Sequence, residues 1–407
     1  MDICIQDIEE IMEQISSFGK QEQGGMIRLL YTQEWLDCQN ELKEKFTQIG
    51  MDAEFDEIGN LTGTIAGTEN PDDIIATGSH VDTVVNGGKL DGQLGIIGGY
   101  LAVKHLLKNY GKPKKSLRVI SMAEEEGSRF PTVFWGSKNL VGLADNQEVA
   151  EITDVNGVRF EDAMHKCGFD FKKEQKSSMD DVKAFIELHI EQGNTLEMEK
   201  IPLGVISGIV GQRRYNITLK GQANHAGTTM MKYRRDVIQV FSRIVDSSIA
   251  RITEVDNMVL TFGKILVEPN TVNVVPGDAL FTMDCRHTDQ QTLSTVSEEI
   301  EANMRRIAEE MGCSIEIERW MDETPVPMDH EIMKVIEAAC DDEEIRYKVM
   351  HSGAGHDSQI IAPHIPTGMI FVPSIAGISH NPAEATKIED LKKGIDTLAA
   401  TLYKLAY

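Results

Sequence analysis

One stretch of the chain, residues 74–99, constrains the fold most strongly. An Ile-rich apolar run ends in small residues and leads directly to His80 and Asp82. Asp91 follows nine residues after Asp82, and Gly92 then opens an apolar, Gly-rich run of helical length. A buried strand of this kind delivers polar side chains to the carboxyl edge of an α/β sheet, where open-sheet proteins place their chemistry. Imidazole and carboxylate groups at such an edge suit a cation such as Zn²⁺ or Mn²⁺.

Two later segments repeat this arrangement. Residues 117–122 form an apolar strand that is followed by three consecutive carboxylates, Glu124, Glu125 and Glu126. Residues 184–188 form another apolar strand, which ends at His189. Neighbouring carboxylates repel each other unless a positive charge compensates them, and a pair of metal ions would do so. The sequence therefore predicts that these side chains share one sheet edge with the histidine of the first stretch.

The order of helices and strands predicts two domains. In residues 1–211 helices alternate with strands, which indicates an α/β domain with a mixed, mostly parallel sheet and helices on both faces. Residues 212–326 follow the order β-α-β-β-α-β of a ferredoxin-like α+β domain, with one strand expected over 258–267. Residues 327–407 restore the first pattern. We therefore expect a discontinuous first domain interrupted by an inserted second one.

Charge and cysteine content exclude several classes of protein. The 40 Lys and Arg residues against 65 Asp and Glu residues leave a net charge of −25, which disfavours nucleic acid and anionic membranes as partners. The six cysteines are far apart and include no CxxC pair, as in free thiols of a reducing compartment. The acidic N-terminal segment does not resemble a signal peptide, and no apolar run reaches the roughly 20 residues of a membrane span. We expect a soluble, cytoplasmic protein.

Taken in chain order, the motifs resemble one known group of enzymes. They are H-x-D (His80, Asp82), D-G (Asp91), E-E-G (Glu125, Glu126), H-I-E-Q-G (His189) and S-H-N-P-A-E (His380). This set is similar to that of the dinuclear metallo-amidohydrolases, which include aminoacylases, dipeptidases and L-carbamoylases. Segments such as GGMIRLLYT, NHAGTT, PNTVNVVPG and HSGAGHDSQI resemble the allantoate amidohydrolase branch of the carbamoylase group.

The resemblance runs nearly end to end and implies an activity. It implies a homodimeric enzyme of purine degradation that hydrolyses a ureido C–N bond of allantoate, giving ureidoglycine, ammonia and CO₂. Residues 212–326 would then be a lid or dimerisation domain that closes over the substrate. Two divalent metal ions per subunit, Zn²⁺ or Mn²⁺, would be the cofactors, because mixed His and carboxylate ligands serve both metals.

The same resemblance implies the metal ligands. One ion would be bound by His80, Asp91 and His189. The second ion would be completed by Glu126 and His380, with Asp91 bridging the two ions. These assignments agree with the physical argument, since each residue follows an apolar strand or lies in a loop that can reach the same sheet edge.

Three further residues would act in the reaction. Asp82 would orient the imidazole of His80 and raise its basicity. Glu125 would be the general base, which takes the proton of a water acidified by the cations and passes it to the leaving nitrogen. His225 would bind the substrate or stabilise an oxyanion, within its own subunit or across a dimer. Allantoate-type sequences read H-A-G-T-T-P-M here, whereas this chain has Met230 in place of proline, which should loosen the loop.

The substrate-binding residues follow from the chemistry of allantoate, which carries a carboxylate and two ureido groups. Arg286 can bind the carboxylate in a bidentate manner. Gln212 and Asn273 can both donate to and accept from ureido groups. Gly353 and Ala354 leave backbone groups open to close approach. We expect the neighbouring residues, His356 and Asp357, to be structural, and Arg213 and Arg214 to be either solvated charges or ligands.

Two other functions fit the sequence. The nearer alternative is an N-carbamoyl-L-amino acid amidohydrolase, which would use the same metals and the same Arg286 but an apolar pocket for the amino acid side chain. The remote alternative is a non-catalytic ureide-binding or regulatory protein. Such a protein would be expected to lack a metal ligand or the base Glu125, and this chain has all of them.

Overall fold

The structure, a computed structural model, describes residues 1–407, which divide into two compact units. Unit 1 consists of Met1–Ser207 and Met328–Tyr407, and unit 2 consists of Gly208–Pro327. The function of unit 2 as a lid or dimerisation domain stays a prediction.

The helices and strands are numbered in chain order. The helices are α1 (Ile5–Ser16), α2 (Gln33–Gln48), α3 (Gln93–Tyr110), α4 (Trp135–Leu140), α5 (Asn146–Ala150), α6 (Phe160–Lys166), α7 (Thr195–Glu199), α8 (Val237–Ile252), α9 (Gln290–Glu310), α10 (His330–Asp342), α11 (Asp357–Ile361) and α12 (Ile388–Ala406). The strands are β1 (Asp52–Phe55), β2 (Leu61–Ile65), β3 (Asn70–His80), β4 (Lys115–Met122), β5 (Val182–Ile190), β6 (Leu203–Ile209), β7 (Gly211–Lys220), β8 (Asn224–His225), β9 (Val259–Thr261), β10 (Ile265–Glu268), β11 (Val274–Val275), β12 (Asp278–His287), β13 (Ser314–Glu323), β14 (Val326–Pro327), β15 (Tyr347–Ser352) and β16 (Thr367–Val372). Two short 3₁₀ helices cover Met231–Tyr233 and Ile375–Gly377.

Unit 1 is built on a mixed sheet whose central strands are parallel. Its strand order is β1-β2-β4-β3-β5-β16-β6, and β15 also pairs with β6. β3 is parallel to both β4 and β5, and β16 is parallel to β5, whereas the outer strands pair antiparallel. The predicted α/β class with a mostly parallel central sheet is confirmed.

Apolar side chains on both faces of this sheet hold unit 1 together. Ile75 belongs to a large core with α1, α2, α3 and α12, whereas its neighbours Ile74 and Ala76 belong to a second core on the other face. Successive strand residues point to opposite faces, so a strand buried on both sides must be apolar throughout. This is the reason that the segment before His80 reads as a continuous apolar run.

Unit 2 contains a five-stranded antiparallel sheet and two long helices. The sheet order is β10-β12-β7-β13, and β9 also pairs with β12. The helices α8 and α9 supply buried residues such as Val240 and Ile300 to one apolar core with Tyr215 and Phe281 of the sheet. The prediction of a single strand over residues 258–267 is wrong, because β9 and β10 pair with separate parts of β12.

Several helices and strands of unit 1 were not predicted from the sequence. Strand β6 and the short helices α4 to α7 lie in segments whose patterns did not predict them. Helices of five to seven residues are marginal on their own and form here because tertiary packing holds them. All six cysteines are free thiols. None of the helices combines the length and the apolar character that crossing a membrane would require.

Candidate metal centre and active site

The register of the parallel strands brings the predicted site residues to one edge of the unit 1 sheet. His80 at the end of β3 pairs with Met122 at the end of β4, directly before the three glutamates. Thr77 of β3 pairs with Ile186 of β5, and these residues lie three positions before His80 and His189. The two histidine rings are therefore close, with centroids 6.0 Å apart.

Asp91 lies at the centre of this cluster and is only 5% exposed. Its Oδ1 atom is 3.1 Å from His189 Nε2 and 3.6 Å from His80 Nε2. Its Oδ2 atom is 3.2 Å from His380 Nε2. Since each carboxylate oxygen faces a different set of imidazoles, Asp91 could contact two cations at once.

Glu125 and Glu126 complete the cluster. The ligand atoms of His80, Glu125 and Glu126 lie within 4.8 Å of one another, as do those of Asp91, Glu126 and His380 and those of His80, Asp91 and His189. Glu126 Oε2 is 3.5 Å from His380 Nε2, while the buried Oε1 atom of Glu126 has no hydrogen-bond partner. A buried carboxylate oxygen without a partner is rare in proteins, and a cation would satisfy it. The residues present therefore fit a pair of divalent metal ions.

A glycine allows the loop of Asp91 to approach His80 this closely. Gly92 has a φ of +63°, a conformation that favours glycine. A Cβ atom at this position would lie 2.4 Å from the His80 ring. The D-G motif of the sequence is therefore a requirement of the site and not only of the following helix.

Asp82 orients both an imidazole and the glutamate segment. Its Oδ1 atom is 3.3 Å from His80 Nδ1 and accepts a hydrogen bond of 3.0 Å from the Glu125 amide. Its Oδ2 atom accepts a hydrogen bond of 3.2 Å from the Glu126 amide. The sequence predicted the contact with His80 but not the two amide contacts, which join the end of β3 to the segment after β4.

The pKa values of several side chains in this cluster are strongly shifted. Burial alone would raise the pKa of Asp91, but hydrogen bonds with His189, His380 and His80 hold it well below its usual range. The hydrogen bond with Asp91 raises the pKa of His380 to about 9. Burial and then the charge of Asp91 raise the pKa of Glu126 to about 7. A cation has to displace protons from His380 and Glu126, which couples its binding to pH.

The environment of the predicted base, Glu125, favours its protonated form. Burial, together with the charges of Glu126 and Asp357, raises the pKa of Glu125 well above its usual range. His80 opposes this effect. Groups with perturbed pKa values are frequent at catalytic sites, although the role of Glu125 as the base stays a prediction.

Three site residues were missed, although all of them lie inside motifs that the sequence analysis quoted. Gln192 donates from Nε2 to Asp91 Oδ2 over 2.9 Å, and Ser379 Oγ donates to the same oxygen over 3.1 Å. Glu384 accepts hydrogen bonds from the amides of Leu90 and Asp91. Their positions in the sequence could have indicated these residues, since Gln192 follows the predicted ligand His189 closely and Ser379 and Glu384 flank the predicted ligand His380.

The segment after β15 contacts His189 through the ring of His356. The buried His356 ring packs against His189 at a centroid distance of 4.5 Å, and its Nε2 is 2.8 Å from Ser352 Oγ. Burial and then the neighbouring His189 lower the pKa of His356 well below its usual range, so this ring is neutral. The Ala354 amide donates to Ser352 Oγ within the loop, whereas Gly353 is exposed. Their proposed contacts with the substrate stay predictions.

Asp357 is fully buried at the start of α11. Burial and then the charge of Glu187 raise the pKa of Asp357 to about 8. Glu187, a buried residue of β5, accepts hydrogen bonds from Ser79 Oγ and from both the amide and the hydroxyl of Ser358. These contacts tie α11 to the strands that carry His80 and His189, as expected of a structural segment.

Within unit 2, the predicted ligands Gln212 and Arg286 belong to one cluster around Asp284. Arg286 donates from Nε to Asp284 Oδ1 over 2.9 Å. Gln212 Nε2 and Arg214 Nε donate to Asp284 Oδ2 over 2.8 and 2.9 Å. The two guanidinium groups outnumber the one carboxylate, so this cluster has a net positive charge. Arg213 instead pairs with Asp322.

His225 and Asn273 form a second group within unit 2. β8 and β11 pair His225 with Val274, and the Ala226 amide donates to the Asn273 carbonyl over 3.0 Å. His225 is exposed, and its Nδ1 accepts hydrogen bonds from the amides of Gly227 and Thr228. The proton of the neutral ring therefore resides on Nε2, which leaves an N–H donor facing away from the loop.

The chain has close relatives of known activity. It matches the family model for peptidase family M20/M25/M40 over residues 76–404. It is 53% identical to the allantoate amidohydrolase of Escherichia coli K12, covering 99% of this chain and 98% of that protein. It is 43% identical to the allantoate amidohydrolase of Bacillus subtilis, covering 98% and 97%.

A solved structure has the same fold. It is an amidase of the hydantoinase/carbamoylase family from Burkholderia multivorans, with a TM-score of 0.95, 29% identity and coverage of 100% of this chain and 98% of that one. The predicted resemblance to allantoate amidohydrolases and their superfamily is confirmed by these matches. The chain belongs to peptidase family M20/M25/M40.

Proposed function

We propose that the chain hydrolyses a ureido C–N bond of allantoate and gives ureidoglycine, ammonia and CO₂. The observation that carries this proposal is Asp91, which lies between three imidazoles at a strand edge that also holds Glu125 and Glu126. The identity of 53% with an allantoate amidohydrolase supports the choice of substrate.

The cofactors would be two divalent ions, Zn²⁺ or Mn²⁺, held by His80, Asp91 and His189 on one side and by Asp91, Glu126 and His380 on the other. When bound, they would acidify a water molecule and polarise the ureido carbonyl. His189 is prepared for this role because its Nδ1 lies 2.9 Å from the Ile190 carbonyl, which leaves Nε2 as the ligand atom.

Glu125 would move the proton in this reaction. As a carboxylate it would accept a proton from the attacking water, and it would then donate the same proton to the leaving nitrogen. The hydrogen bond from its amide to Asp82 fixes the backbone from which its side chain projects. Asp82 would therefore act by positioning both His80 and the base.

Four residues of unit 2 are proposed to contact the substrate. Arg286 would bind the carboxylate of allantoate, with Asp284 fixing the orientation of its guanidinium group. Gln212 and Asn273 would bind the ureido groups, and His225 would donate from Nε2 to a substrate oxygen. A local excess of positive charge around Asp284 suits an anionic substrate in a chain whose net charge is −25.

We further propose that the protein is a homodimer and that it is cytoplasmic, and the free cysteines support the second proposal. The specific alternative is hydrolysis of N-carbamoyl-L-amino acids, which is supported by 33% identity with an N-carbamoyl-L-amino-acid amidohydrolase of Paenarthrobacter aurescens. A non-catalytic ureide-binding protein remains the remote alternative, and a complete set of ligands argues against it.

Ammonia release from metal-reconstituted protein tests the proposal. kcat/KM would be compared between allantoate and a panel of N-carbamoyl-L-amino acids. We expect allantoate to be preferred at least about a hundredfold, or about 2.7 kcal/mol of transition-state binding. A carbamoyl amino acid that is hydrolysed faster would reject allantoate as the substrate and leave the metal site intact.

The variant E125Q tests the base. We expect it to bind two metal ions as the wild type does and to lose at least about a hundredfold in kcat, because the amide cannot accept the proton of water. The metal content of the purified protein serves as the control. Turnover within a few fold of the wild type would show that Glu125 is not the base.

A further inference from the structure

Glu384 joins the two loops that carry Asp91 and His380. It is 4% exposed and lies four residues after His380. Its Oε1 atom accepts hydrogen bonds from the amides of Leu90 and Asp91, over 2.8 and 3.1 Å. One carboxylate oxygen thus holds the backbone of the residue that bridges the proposed metal positions.

The other oxygen of Glu384 approaches the same site through a serine. Ser379 Oγ lies 3.2 Å from Glu384 Oε2 and 3.1 Å from Asp91 Oδ2. The single hydroxyl proton of Ser379 therefore lies between two carboxylates. Glu384 contacts Asp91 at its amide directly and at its carboxylate through Ser379.

The chain makes room for this contact. A Cβ atom at Gly88 would lie 2.1 Å from the Glu384 carboxylate, so that only glycine allows the loop before Asp91 to pass there. Burying a carboxylate costs free energy that its hydrogen bonds have to offset. The hydrogen bonds that offset this cost come from the loop of Asp91 and from Ser379. Glu384 is therefore stabilised by groups of the candidate metal centre.

We propose that Glu384 is a positioning residue, which sets the affinity of the site for divalent metal ions by holding the Asp91 backbone. It does not touch the reacting atoms. The inference rests on the proposed metal site but not on the identity of the substrate. Length and acceptor capacity at this position are what matter, and the negative charge is not required.

Two matched variants separate these properties. E384D keeps the charge, but it is one methylene shorter and cannot reach both amides. E384Q loses the charge but keeps an oxygen at the same distance, and its amide nitrogen can donate to Ser379. E384A removes every contact. E13Q is the control, because Glu13 is an exposed carboxylate on α1 that lines the same surface cavity as Glu384.

Two measurements are made without substrate. Hydrogen exchange of the metal-free protein reports protection of the Leu90 and Asp91 amides, and chelator competition gives the dissociation constant for Zn²⁺. We expect faster exchange of both amides and Zn²⁺ binding weaker by about tenfold or more in E384D and E384A. E384Q and E13Q should match the wild type within about threefold, as expected when the acceptor is retained.

Three results would overturn the inference. E384D could bind Zn²⁺ as tightly as the wild type, E384Q could be as weak as E384A, or E384A could lose thermal stability with an unchanged Zn²⁺ dissociation constant. If E384A does not fold, the pair E384D and E384Q decides. A wild-type protein that binds no Zn²⁺ or Mn²⁺ would reject the proposed function as well, whereas failure of allantoate hydrolysis alone would leave this inference standing.

Discussion

Arg28 is a guanidinium group with no exposed surface, and we expect its replacement by methionine, R28M, to destabilise unit 1 strongly. Arg28 Nε donates to the Val81 carbonyl over 2.6 Å, and Nη2 donates to Gln93 Oε1 over 2.7 Å. Nη1 donates to the carbonyls of Ile15 and Phe18, each over 3.1 Å. These contacts tie the end of α1 to both sides of the loop between His80 and Asp91.

The magnitude follows from these four hydrogen bonds. A hydrogen bond with a charged donor contributes about 1.5 to 3 kcal/mol, and its loss leaves a buried acceptor without a partner. Methionine also removes the cost of burying the charge, which offsets several kcal/mol of this loss. After this offset, we expect the free energy of unfolding to fall by about 3 to 5 kcal/mol. R28K, which keeps the charge without the planar fork, should lie between R28M and the wild type.

Urea unfolding of the metal-free protein, followed by tryptophan fluorescence, measures this effect. Trp35 and Trp135 are buried in unit 1 and report its unfolding. K108M is the control, since Lys108 is an exposed cation of α3. A loss of less than about 1 kcal/mol in R28M would refute the reasoning, because surface substitutions alone reach about 0.5 kcal/mol.

Three more predictions concern the metal centre. In G92A the new Cβ would lie 2.4 Å from the His80 ring, so metal analysis of this variant should find less bound metal. G111A is the control, because Gly111 also has a positive φ but lies in open space, and this variant should bind the wild-type amount. D82N cannot accept from both the Glu125 and Glu126 amides, and Zn²⁺ affinity should fall about 10- to 100-fold; unchanged affinity would exclude the positioning role. Because neutral His380 is needed to bind metal and its pKa is about 9, Zn²⁺ affinity should rise with pH by at least about tenfold per unit from pH 7 to 9. Burial opposes a charge on His80, but hydrogen bonds with Asp82 and Asp91 raise its pKa well above its usual range, which adds to this slope. Below about pH 7 the rise should be steeper, since Glu126 must also lose a proton, and a flat profile from chelator competition would contradict this assignment.

The sequence was most informative where a pattern depends on near neighbours. The apolar run before His80 is buried on both faces of the sheet, so its composition directly reflects its environment. The prediction of a mostly parallel sheet is confirmed for the same reason. The prediction of one strand over residues 258–267 is wrong because the apolar pattern does not indicate that the two halves of this segment pair with different parts of β12.

By itself, the sequence determined the α/β class, the strand ends that carry His80, Glu125, Glu126 and His189, and the resemblance to a metallo-amidohydrolase. These features follow from local periodicity and from motif order. Only the tertiary structure decided how the loops of the site are held, as in the contact between Glu384 and Leu90, which are 294 residues apart in the chain. The same is true of the buried Arg28, whose acceptors come from α1, the loop after β3 and α3. Such contacts leave no periodic trace, because a hydrogen bond between distant segments depends on their approach in the fold and not on residue spacing.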